Sequence, residues 1–312
     1  MKKNLITLAV AATLASPLAV QAEDSASVSG FVDIIYTNVG DGGAGSNAFG
    51  ADGEIDVQAT KGDVTVRADV DLRLDGTSGQ LEQAFFAWKA MDAVTVIGGV
   101  FNNPIGQELE DAPDMEFTSH SAVWNILDGQ TVLNGNNIAG VAVAGGNEMF
   151  TGTLAVVNDI GGATDNDNSS KNSIAAVLNV NPMDSLALEL GYVTQDTSAE
   201  NVLDFNAQYG IAGFTLGLDV LMADKIVDTA YNVWGSFAIN DKAAVKARYE
   251  AVDLEASGAD TASKYTLYGT YSVEDNLSVA LEYSQGDLGN NATSVAGIID
   301  DSTVTLEFIG TF

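Results

Sequence analysis

Any chemistry this chain performs has to be the chemistry of carboxylates. Of its 312 residues, 43 are Asp or Glu, 12 are Lys or Arg, one is His and none is Cys, for a formal net charge of −31. The lack of cysteine rules out disulfides, thiolate catalysis and cysteine-held metals. His120, set in Ser119-His120-Ser121, would have to serve alone, without a Ser-His-Asp relay or a zinc-hydrolase spacing, and reads as a hydrogen-bonded loop residue. No catalytic, cofactor-binding or metal-binding residues are expected. The notable acids gather in one stretch, residues 104–136, which holds Glu108, Glu110, Asp111, Asp114, Glu116 and Asp128 and not one Lys or Arg. Carboxylates grouped in this way can impose a negative field on a narrow passage or sit on a solvated loop, and the passage is the reading favoured here. The same net charge repels phosphate backbones, so nucleic acid is excluded as a partner, and a charged small-molecule partner should be positive.

The elements that position these acids follow a period of two. In 64–74 the even positions, among them Val64, Val66, Leu72 and Leu74, are apolar, and the odd ones include Arg67, Asp69, Asp71 and Arg73. The same alternation runs through later segments that carry Lys246, Arg248, Glu250, Glu282 and Glu307 between apolar neighbours. Strands are expected at 26–38, 54–61, 63–74, 80–90, 94–103, 137–144, 148–158, 172–180, 185–194, 201–209, 212–223, 228–239, 243–253, 263–273, 277–286 and 302–312. That makes about sixteen strands of roughly ten residues, the length a tilted strand needs to cross a bilayer. At 46% hydrophobic and 18% charged residues, the chain has the composition of one that folds.

The connections alternate as well. Lys61-Gly62, Gly145-Gly146-Asn147, Gly210-Ile211 and Glu274-Asp275-Asn276 are tight turns, whereas 39–53, 159–171, 254–262 and 287–301 are long and polar. Short turns at one end and long loops at the other define a transmembrane antiparallel up-and-down β-barrel in a single domain, residues 23–312. At about sixteen strands its lumen would hold water. The rival architecture is a secreted β-sandwich or adhesin without a channel. Ahead of the barrel, Lys2 and Lys3, an apolar run from Leu5 to Leu14 and Val20-Gln21-Ala22 have the three regions of a cleavable signal peptide over 1–22, which implies export.

The last strand, Val304-Thr305-Leu306-Glu307-Phe308-Ile309-Gly310-Thr311-Phe312, resembles the C-terminal assembly signal of Gram-negative outer-membrane porins, with Phe308 and the terminal Phe312 at its characteristic positions. The stretch Phe101-Asn102-Asn103-Pro104-Ile105-Gly106-Gln107-Glu108 is similar to a strand-end motif of some bacterial porins. This resemblance implies a general diffusion channel in the outer membrane, open to small hydrophilic solutes and cations. It further implies outer-membrane lipid and the barrel assembly machinery as partners, often a homotrimer, and no enzymatic activity. It also implies that the third long loop, here 104–136, folds into the barrel as a constriction bearing Glu108, Glu110, Asp111, Asp114 and Glu116. Arg67, Arg73, Lys246 and Arg248 on the lumen wall would face it. A porin specialised for one solute class is the alternative within the same family.

Overall fold

Outward residues on the strands are apolar and inward ones largely polar, and a sheet with that division can close on itself so that every strand is paired. The computed structural model describes residues 24–40, 46–72, 80–130, 135–158, 172–194 and 201–312. The expected signal peptide, Arg73, Leu74 and the loop 159–171 lie outside them. In chain order the strands are β1 (Ser25–Val39), β2 (Ala48–Lys61), β3 (Val64–Asp71), β4 (Gln80–Met91) and β5 (Val94–Asn102). A helix α1 (Ala122–Asp128) precedes β6 (Asn137–Gly146), β7 (Phe150–Val157), β8 (Ser173–Met183), β9 (Leu186–Thr194), β10 (Val202–Ile211) and β11 (Phe214–Met222). Then come β12 (Val227–Asn240), β13 (Ala243–Leu254), β14 (Ala262–Glu274), β15 (Leu277–Asp287) and β16 (Ser302–Thr311). Each strand pairs antiparallel with its sequence neighbours, and β1 pairs with β16 from Phe31↔Thr311 to Val39↔Thr303, closing the barrel.

The period-two register is as expected. Val64, Val66 and Leu72 lie exposed on the outer wall, while Asp69 and Asp71 are buried inside. Large apolar side chains such as Leu190, Leu267 and Leu281 remain exposed outward, which is the surface that hydrocarbon covers. The tight turns also behave as their sequences require. Between β10 and β11, Ala212 and Gly213 both take positive φ (49° and 86°), the type I′ geometry whose twist matches the flanking strands.

Three features differ from the expectation. The second strand starts at Ala48 rather than 54, so the first loop is not the long 39–53 connection. Residues 48–53 lack alternation, and their strand state is imposed by pairing with β1, where Thr37 faces Ala48 and Phe49 packs its ring 4.8 Å from that of Tyr36. The connection 287–301 is not a purely polar loop, since Leu288, Val295 and Ile298 are buried in it. The inner face is also not uniformly polar. Near the long-loop end Phe101, Val157, Val193, Val202, Leu221 and Val252 are buried in one cluster with Val123, Ile126 and Leu127 of α1, so part of the lumen is a hydrophobic core.

Candidate pore constriction

The segment between β5 and β6 is held within the barrel by hydrogen bonds to inward groups of the wall. Its two ends meet where Asn103 N–H donates to Asn136 O at 2.9 Å and the Asn103 amide to Asn136 Oδ1 at 3.2 Å. From there Gly106 N–H reaches Glu189 Oε1 of β9 at 3.3 Å, and the Gln107 amide reaches the Ala207 carbonyl of β10 at 3.3 Å. Trp234 Nε1 of β12 donates to Gln107 Oε1 at 3.0 Å. On the far side Thr118 Oγ1 donates to Glu307 Oε2 of β16 at 2.7 Å and Ser119 N–H to Glu282 Oε2 of β15 at 3.2 Å. Arg248 of β13 donates to the Ser119 carbonyl at 2.8 Å. Acceptors on strands so far apart around the wall are reached by one segment only if that segment crosses the lumen.

Local sequence explains the helix within it. Ala122, Val123, Ile126 and Leu127 repeat at helical spacing and are buried, and Ser121 caps the first turn by accepting from Trp124 N–H at 3.2 Å. Two further amides at that end are met by carboxylates. Ser121 N–H donates to Glu108 Oε2 at 2.9 Å and Ala122 N–H to Glu250 Oε1 at 2.7 Å. His120 pairs through Nδ1 with Glu108 Oε1 at 2.7 Å and stacks on Trp124 with ring centroids 3.5 Å apart. It is thus a hydrogen-bonded loop residue. Burial works against the Glu108 charge, but the bonds from His120 and Ser121 and the nearby Arg248 hold its carboxyl below the ordinary range. Asp114 is pushed up, first by burial, with Arg67 opposing.

The five loop acids do not form one ring. Glu108, Asp114 and Glu116 line a cavity with Gln107, Phe117, Gln208, Asn232, Trp234 and Arg248. Glu116 is tied to Lys246 Nζ at 2.6 Å, and Arg248 Nε lies 2.6 Å from Glu250 Oε2 as an ion pair while its guanidinium lies 4.5 Å from the Phe117 ring centroid. Glu110 and Asp111 turn toward β2–β4, and Asp114 lies between the two groups, within electrostatic reach of Arg67 and Asp56 as well. Glu110 lies against Gly135, and Asp111 lies within electrostatic reach of Asp56 and Arg67. Arg67 itself is taken up on the wall by Asp69 at 2.8 Å and Asp56 at 3.4 Å. Phe308 is exposed on the outer wall of β16, and Phe312 N–H bonds the Gly30 carbonyl at 3.1 Å, locking the seam with β1.

Sequence reasoning did not single out Glu54, Asp56 and Glu82, or the polar wall residues Gln208, Asn232 and Trp234. The pair Glu54 and Asp56, two apart in a strand and therefore on one face, is the signal that could have found the first two. Nothing in the sequence marks which strand lies opposite the loop.

A closed barrel of this size, apolar outside and crossed inside by an acidic segment, is the architecture of an outer-membrane channel. The family described as Gram-negative porin matches residues 7–291, and the chain belongs to it. Solved structures with the same fold include OmpF of Salmonella typhi in complex with daunomycin, at a TM-score of 0.74 and 13% identity, over 92% of this chain and 97% of that one. An anion-selective porin from Comamonas acidovorans superposes at 0.68 with 13% identity over 93% and 100%. OmpT, an outer membrane protein of Vibrio cholerae, does so at 0.68 with 13% identity over 93% and 98%. No curated protein matches the chain by sequence.

Proposed function

We propose that this outer-membrane channel passes small hydrophilic solutes by passive diffusion, favours cations and catalyses no reaction. The observation that carries the reading is the cavity beside the crossing segment, where Glu108, Asp114 and Glu116 outnumber the basic groups at the site, Arg248 in the lining and Lys246 on Glu116. Fixed carboxylates in a narrow passage with low-dielectric walls act on each passing ion, whereas surface acids beyond about 10 Å are screened at 0.1 M salt. The anion selectivity of the Comamonas protein belongs to that protein, since 13% identity carries the fold and not the charges of the lining. Export with removal of 1–22, insertion by the barrel assembly machinery and assembly as a homotrimer belong to the same reading. N-terminal sequencing and cross-linking of the mature protein test the first and last of these.

The selectivity test is a planar bilayer under a KCl gradient. The wild type should give a reversal potential of cation-selective sign. Glu108→Gln, Asp114→Asn and Glu116→Gln together should move it toward zero or beyond. Neutralising Asp63, Glu148, Asp184, Asp241 and Asp275, which are exposed on the short turns, should leave it nearly unchanged. Equal shifts from both sets would sink the proposal.

A further inference from the structure

The inner face of β2–β4 carries a second acidic group, apart from the cavity. Glu54, Asp71 and Glu82 are 1%, 5% and 2% exposed, and each places a carboxylate oxygen within 4.8 Å of the others. Glu54 and Asp71 sit directly opposite each other in the β2–β3 pairing, an arrangement of like charges that works against the sheet. Asp56 and Asp69 beside them are answered by Arg67. Glu82 Oε1 accepts one hydrogen bond, from the Asn137 amide at 3.2 Å. Glu54 Oε1 is fully buried and has no hydrogen-bond partner. A buried oxygen left without a donor, inside a group of like charges, is a position built for positive charge.

The donors are all hard oxygens, which suit calcium or magnesium and not the softer transition metals. Calcium accepts six to eight oxygens at about 2.3–2.6 Å, so any two oxygens on one ion lie within roughly 5.2 Å of each other, a limit the three carboxylate oxygens meet. Magnesium demands a smaller octahedron and keeps most of its water, so a group of several carboxylates favours calcium. We propose that Glu54, Asp71 and Glu82 hold one calcium ion against the inner wall, at the root of the crossing segment where Asn137 begins β6. The ion would cancel the repulsion across β2–β3 and fix the wall on which that segment rests.

The test uses the folded full barrel in detergent, stripped with EDTA and titrated with radioactive CaCl2 in 0.1 M KCl to suppress diffuse surface binding. One saturable calcium per chain is expected. It should weaken at least tenfold in Glu54→Gln and in Glu82→Gln, and stay as in the wild type in Asp219→Asn, a buried wall carboxylate on β11. Tenfold excess MgCl2 should not displace it. The absence of a saturable class in the wild type, as when the trio holds protons instead, overturns the site. So does unaltered binding in both Gln variants, or an equal loss in Asp219→Asn. If the Gln variants do not fold, the wild type decides. Calcium should raise the temperature at which its folded gel band converts to the unfolded one, and identical temperatures in EDTA and CaCl2 overturn the site. None of these readings uses ionic current, so failure here is separate from failure of the selectivity proposal.

Discussion

Glu116 of the crossing segment and Lys246 of the wall meet at 2.6 Å, so each masks part of the other's field. Removing one partner exposes the other, and the two single changes should act in opposite directions. Lys246→Met should make the reversal potential more strongly cation-selective, and Glu116→Gln should make it less so. Shifts of the same sign would show that the pair does not border the ion path. Protons should act on this passage in stages. Burial raises the Asp114 carboxyl, so it loses its charge early as pH falls, whereas Glu108, held low by His120 and Ser121, keeps its charge longer than Asp114 does. Cation selectivity should therefore fall in two steps as pH drops, an upper one that Asp114→Asn abolishes and a lower one that comes only below the ordinary carboxylate range. For Glu108 the linkage also reaches the fold. A depressed carboxyl stabilises the docked loop above the ordinary carboxylate range, and that stabilisation is lost as pH drops through its lowered value.

Strands are held by alternation, and a charge on the wrong face is costly. Leu281 lies near the middle of β15, is exposed outward and is flanked by Leu306 and Gly269 on the neighbouring strands. Leu281→Arg should destabilise the folded barrel by ~2–4 kcal/mol, seen as a lower denaturant midpoint for refolding into vesicles, whereas Leu281→Phe should be nearly neutral. An Arg tolerated as well as a Phe would mean that this face does not meet lipid. Alternation is also why the wall was legible in the sequence. Val64 to Leu72 announces its two faces residue by residue, and the paired turn residues mark where each hairpin reverses. What was not legible depends on partners distant in the chain. Residues 48–53 become strand because β1 is beside them. Helix α1 has only seven residues, too few for an unaided helix, and it persists because Glu108 and Glu250 meet its first amides and the inner wall covers its apolar side. The loop acids were legible as a group, but their division into a cavity set and a β2–β4 set was not, because it follows from how the segment crosses the lumen.

Among the described residues each of the sixteen strands has a partner on both sides, and the closed sheet they form offers no edge from which unpairing can start. The purified protein should therefore stay folded in SDS at room temperature and run at a different gel position from a boiled sample. A single position before and after boiling would argue against a closed wall. The pairing of β1 with β16 adds a condition in time. The strand that completes the circle, β16, follows the other fifteen in the chain, and the one it must find, β1, precedes them. Until β16 has been made the chain can form hairpins but no ring, and β1 lacks its final neighbour. A chain that stops before residue 302 is accordingly a strip with two raw margins rather than a slightly smaller pore.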